Sequence, residues 1–130
     1  MSRFVRTTET RTLTLANGDT LTVRARLSAG EMRAQMARTF TANGNGTLSR
    51  TPLMAAPSMI AAYLLDWNLR DDAGHLVEIR DLPPMQLIAV LDSLDLDSFQ
   101  EIKDAIEAHE QAMAAERDAE KKATAGERAS

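Results

Sequence analysis

The chain has 130 residues, 44% hydrophobic and 26% charged, with a net charge of −4, which is the make-up of one globular domain with its own core. It contains no cysteine, so disulfide frameworks, thiolate zinc sites and cysteine nucleophiles are excluded. No run approaches the roughly 18 apolar residues of a membrane span, and the polar, basic stretch Met1 to Arg6 has no apolar run behind it, so neither a spanning segment nor a secretory leader is expected.

Residues 9–27 read as a β-hairpin. Leu13 and Leu15 alternate with Thr12 and Thr14, and Leu21, Val23, Ala25 and Leu27 alternate with Thr20, Thr22, Arg24 and Arg26, a period of two rich in β-branched residues. The turn is Ala16-Asn17-Gly18-Asp19. A two-residue loop at Asn17-Gly18 scatters the leucines over both faces. A three-residue loop pairs Leu13 with Leu21, collects the apolar residues on one face and puts Gly18 at the left-handed position of a bulge. The three-residue loop is therefore expected, with Val5 as a possible earlier start of the first strand beyond a fraying or bulged Thr7–Glu9.

Ser28-x-x-Glu31 is a capping box with Leu27 and Met32 placed as a staple, and it starts a helix over about 29–41 with the apolar ladder Met32, Met36, Phe40. Residues 42–56 read as a long loop, because Asn43-Gly44-Asn45-Gly46 and Thr51-Pro52 break regular structure. Pro57 fits the first turn of a second helix, 57–67, whose stripe is Met59, Ile60, Tyr63, Leu64 and Trp67. Asn68 to His75 reads as a polar turn and Leu76 to Ile79 as a short extended piece. Asp81 is a candidate cap for a helix over 83–93, with Leu87, Ile88, Leu91 and Leu94 inward. Asp95 or Asp97 caps a last helix over 97–115, marked by Phe99, Ile102, Ile106 and Met113. Residues 116–130 are charged and alanine-rich, with nothing to bury, and are expected to form a flexible tail on a single domain of residues 1–115. The fold class is α+β, mainly helical: an N-terminal hairpin packed on about four helices.

Charge is segregated along the chain. Residues 1–50 hold eight arginines against three acids, and residues 51–130 hold seven basic against sixteen acidic groups. Arg24 and Arg26 share one face of a strand and are candidates for a charged interaction face, or for pairing with the chain's own acidic helices. Nucleic acid is not an expected partner: lysines do not cluster, no aromatic platform is present and the pI is about 5.1.

Chemical motifs fail their context tests. The glycines of residues 43–46 follow a helix instead of a strand and lack the third glycine of a nucleotide loop. Residues 66–71 begin like a calcium loop but place Arg70 and Asp71 where a ligand and a glycine belong. Asp71, Asp72 and His75 are explained by a polar turn, and His109 by a partly exposed helix position. No catalytic, cofactor or metal residue is assigned, and no enzyme activity is expected. The seven methionines are the more informative signal, since methionine fills cores and also builds adaptable binding surfaces.

From Tyr63 to His109 the order is an apolar helix ending Leu65-Asp66-Trp67, then Asn68-Leu69-x-Asp71-x-x-Gly74, an extended stretch, a proline-led helix and an amphipathic helix ending Ile106-Glu107-Ala108-His109. With the hairpin before it and the charged tail behind, this arrangement resembles the tail assembly chaperones of long-tailed bacteriophages and prophages. The resemblance spans residues 10–110 as an arrangement and Asp66 to Gly74 as a motif. It implies a non-enzymatic protein of the host cytoplasm, absent from the finished particle, that binds the tape measure protein, keeps its apolar helices in solution and recruits tail tube protein. Candidate partner-binding residues are Tyr63, Leu64, Trp67, Leu87, Leu91, Ile102 and Ile106, each of which reads first as a core residue. In many relatives a frameshift appends a second domain, and Lys121-Lys122 is a candidate site for one. The alternatives are a self-assembling tail or connector component and, further off, a small-ligand domain or enzyme.

Overall fold

The structure, a computed structural model, describes residues 3, 5 and 9–129. Among them the chain forms β1 (Thr10–Thr14), β2 (Thr20–Arg24), α1 (Ala29–Thr39), β3 (Phe40–Ala42), β4 (Leu48–Arg50), α2 (Pro52–Tyr63), β5 (Leu64–Trp67), α3 (Pro84–Leu91) and α4 (Leu96–Ala129). The class is α+β and mainly helical, with a three-stranded antiparallel sheet in the order β1-β2-β5 and a separate two-stranded sheet of β3 and β4.

The first hairpin has the expected register, Leu13 opposite Leu21 and Thr14 opposite Thr20. Its loop closes through Leu15 N–H to the Asp19 carbonyl at 2.7 Å and Gly18 N–H to the Leu15 carbonyl at 3.0 Å. Gly18 lies at φ +91°, the left-handed bulge position that a side chain resists. The proposed start of β1 near Val5 runs through Thr7 and Thr8, which lie outside the described residues. The capping box of α1 is complete: Glu31 N–H donates to Ser28 Oγ at 3.1 Å and Ser28 N–H donates to Glu31 Oε1 at 2.8 Å.

Four expectations need correction. The loop over 42–56 is instead a second hairpin followed by the first turn of α2. Its Asn-Gly repeat supplies the turn: Asn43 N–H bonds the Thr47 carbonyl at 2.7 Å, and Asn45 Oδ1 accepts from both Thr47 N–H and Thr47 Oγ1. Helix α2 therefore starts at Pro52, with Pro57 inside it. The carbonyl that loses its donor to Pro57 belongs to Leu53, which is 88% exposed and open to water. Residues 64–67 are a strand and not the end of a helix. They pair with the free edge of β2, Leu21 opposite Trp67 and Val23 opposite Leu64, with a bulge in between. Asp81 caps nothing: it sits at φ +63°, and Pro83 precedes the first turn of α3.

Helix α4 is capped by Asp95, whose Oδ1 accepts Ser98 N–H at 2.8 Å and whose Oδ2 accepts Ser98 Oγ at 2.7 Å. These bonds, the backbone one first, hold its carboxyl below the usual range. Helix α4 runs on past residue 115, its backbone helical to Ala129. From Glu116 to Lys122 all residues except Glu120 are exposed, as a segment without apolar residues must be.

The core lies between the inner face of the three-stranded sheet and α2, α3 and α4. Leu21, Val23, Ile60, Leu91, Ile102 and Ile106 are its most buried apolar members. Trp67 is fixed within it by its indole N–H, which donates to the Val77 carbonyl at 2.7 Å.

Candidate interaction face

The seven residues expected to bind a partner, Tyr63, Leu64, Trp67, Leu87, Leu91, Ile102 and Ile106, are all buried in the core. They hold the domain together and expose little surface, although Tyr63, Leu64 and Leu87 also line cavities. Arg24 and Arg26 are also committed internally. Arg24 Nε lies 3.0 Å from Glu31 Oε2 and donates to the Ala62 carbonyl at 3.1 Å. Arg26 faces Glu116 and Glu120 of α4 at 3.9 and 3.7 Å. The basic first half of the chain thus meets part of its own acidic second half.

The apolar surface is elsewhere. Met32, Met36, Phe40, Leu48 and Leu53 are all exposed, Leu48 at 67% and Met36 at 50%. Met32, Met36 and Phe40 line cavities beside α1, Leu48 lies on the second hairpin and Leu53 in the first turn of α2, while Leu76, Met85 and Leu96 are exposed elsewhere on the chain. The ladder Met32-Met36-Phe40, legible in the sequence as an apolar face, is turned away from the core. Helix α1 instead meets α2 through polar groups, with Arg38 donating to the Ser58 carbonyl at 3.3 Å and Thr39 buried. Burial lowers the pKa of Arg38. Of the methionines after the first, Met59 is the buried one.

Helices α1 and α4 both lie against α2 and make little contact with each other. A trough runs between them with α2 as its floor. One end is a cavity of about 510 Å³ whose lining includes Met36, Phe40, Ala55 and Met59, with Arg50, Lys103 and Glu107 at its rim. The other is a cavity of about 390 Å³ whose lining includes Met32, Tyr63 and Met113, with Glu110 and Arg117 beside them. Gln35 lines both. Its Oε1 is buried with no hydrogen-bond partner among the described residues, an arrangement that costs free energy until a donor arrives.

The far end of the trough is anchored by a contact the sequence did not announce. His109 is buried, against the expectation of a partly exposed position. Its Nε2 lies 2.9 Å from the Arg24 carbonyl and 3.1 Å from the Ala25 carbonyl. Two acceptors require that this nitrogen carry the proton. The ring stacks edge-on with Tyr63, whose hydroxyl donates to Glu110 Oε2 at 2.9 Å. Burial, then this hydrogen bond, pushes the Tyr63 phenol well above its usual pKa. The spacing Ile102, Ile106, His109, Met113 was the available signal, since it puts the imidazole on the apolar stripe.

A third cavity, of about 490 Å³, lies beside β5 between β2 and residues 79–87, with Arg24, Asp66, Arg80 and Asp81 in its walls. Arg80 donates to Asp66 Oδ2 through Nε at 3.2 Å and NH2 at 2.7 Å. These bonds hold the Asp66 carboxyl below its usual range. Asp71 Oδ1 is taken by the N–H groups of Ala73 and His75 within the turn. Among the described residues no cluster of three or more histidines and carboxylates could hold a metal ion, and no helix is long and apolar enough to cross a membrane. No protein-family model, curated protein or solved structure matches the chain.

Proposed function

We propose that the chain is an assembly chaperone of the phage-tail type. It binds apolar helical segments of a long, tape-measure-like protein, holds them in solution in the host cytoplasm and releases them to tail tube subunits. The observation that supports this best is the exposed face of Met32, Met36, Phe40, Leu48 and Leu53. Apolar side chains gathered on one side mark a binding surface, and flexible methionines can repack against different guests. The charged rim of Arg50, Lys103 and Glu107 keeps such a surface wettable. The reading involves no bond-making step, cofactor or metal.

The test is co-expression with the long helical protein encoded nearby in the same genome, followed by affinity purification of this chain. A partner that stays soluble only in its presence, and is bound to it, supports the chaperone. A chain that ignores the partner and closes into rings or tubes is a structural tail component instead. Purified particles give a second readout, because a chaperone is absent from them.

A further inference from the structure

We propose that the trough between α1 and α4 seats one amphipathic helix of about four turns that carries acidic residues at both ends. This rests on the chaperone reading for the kind of guest, and on the trough itself for its length and charge. The two walls are helices that share a floor but barely touch, which leaves room for a third rod alongside them. Along α4 the lining runs from Lys103 to Arg117, about 21 Å at 1.5 Å per residue, so a guest of about 14 residues matches it. The middle is apolar and adaptable, with Met36, Met59 and Met113, and it favours an apolar stripe.

Charge decides the ends. Lys103 is engaged with Glu107 at 3.2 Å, Arg26 with Glu116 and Glu120, and Glu110 with the Tyr63 hydroxyl. Arg50 at one end and Arg117 at the other pair with no carboxylate among the described residues. Each guanidinium can take an acidic side chain of the guest in a charge-assisted bond. Between them, the unpartnered Gln35 amide oxygen awaits a donor, such as a serine or asparagine within the apolar stripe.

The experiment uses the full chain and two fluorescein-labelled amphipathic peptides of about 16 residues with the same apolar stripe, one ending in Asp and Glu, the other in Lys. Anisotropy titrations at low salt should show the acidic-ended peptide binding at least about tenfold more tightly, with the advantage shrinking at high salt. Arg50→Glu with Arg117→Glu should reverse the preference. Both positions are exposed, so the fold tolerates the change. Methionine methyl NMR should show shifts at Met32, Met36 and Met113, and none at Met85 on α3. Equal binding of both peptides, or shifts at Met85 without any at Met36, overturns the proposal. If neither peptide binds yet the chain still solubilises the long helical partner, the trough is wrong and the chaperone reading stands. If the acidic peptide binds and the partner is not rescued, the reverse holds.

Discussion

His109 joins the last helix to the end of the first hairpin through the Arg24 and Ala25 carbonyls, while its ring contact with Tyr63 and the Tyr63–Glu110 bond tie the same helix to α2. Replacing His109 with Ala leaves the Arg24 and Ala25 carbonyls without that donor, and we expect a loss of about 1–3 kcal/mol in urea denaturation. Tyr63→Phe removes the bond to Glu110 and should cost about 1–2 kcal/mol at neutral pH. Its pH signature is more specific. The folded-state pKa of Tyr63 is raised, so its contribution is complete below the unfolded value near 10 and is lost as pH climbs above it. The wild-type denaturation midpoint should therefore fall more steeply above about pH 10 than that of Tyr63→Phe. Asp66 and Asp95 have depressed folded-state pKa values. Their contribution is present above the ordinary carboxylate range and is lost as pH falls through the folded values.

At the scale of elements, legibility followed locality. The first hairpin could be read to its register because turn chemistry and a period of two both lie within its own residues. Gly18 is the test. Gly18→Ala meets no atom within 4 Å, so backbone strain at φ +91° is its only penalty, and we expect a loss of about 1–2 kcal/mol by thermal melting. Strand β5 was illegible for the opposite reason. Met59 to Trp67 is nearly all apolar, and such a run fits helix and strand alike until a partner is known. The free edge of β2 is that partner, and it lies more than forty residues earlier in the chain. The second hairpin escaped because three-residue strands are too short to show a period, and its Asn-Gly repeat looked like a break when it is a turn.

For the whole molecule, the class and most of the core were legible, and the exposed apolar residues proposed as a binding face were not. An apolar stripe looks the same in sequence whether it covers the chain's own core or awaits a guest. Tyr63, Trp67 and Ile106 were thus candidates for contact and proved to be core, while Met32 and Met36 lie outside it. The two groups should separate in mutants. Ile106→Ala opens a cavity in the fully buried core and should cost about 2–5 kcal/mol. Met36→Ala should change stability by no more than about 0.5 kcal/mol and weaken capture of the helical partner. Paired denaturation and co-purification measurements check both. The surface ion pairs between Arg26 and α4 add little to the ledger, since exposed pairs contribute about 0–1 kcal/mol each.

The bond from His109 to the carbonyl of Arg24 spans 85 residues, and this has a consequence for synthesis. The hairpin can close its turn as soon as it leaves the ribosome, but the residue of α4 that anchors it is made 85 residues later. A nascent chain stopped short of His109 lacks Ile106's cover or its anchor, and its leucine and valine face stays open to water. Closing this core must then wait until residue 109 has been made and has left the ribosome, and the length of that wait is set by elongation at about 5–20 residues per second. Nascent chains arrested before and after residue 109 should differ sharply in protease resistance.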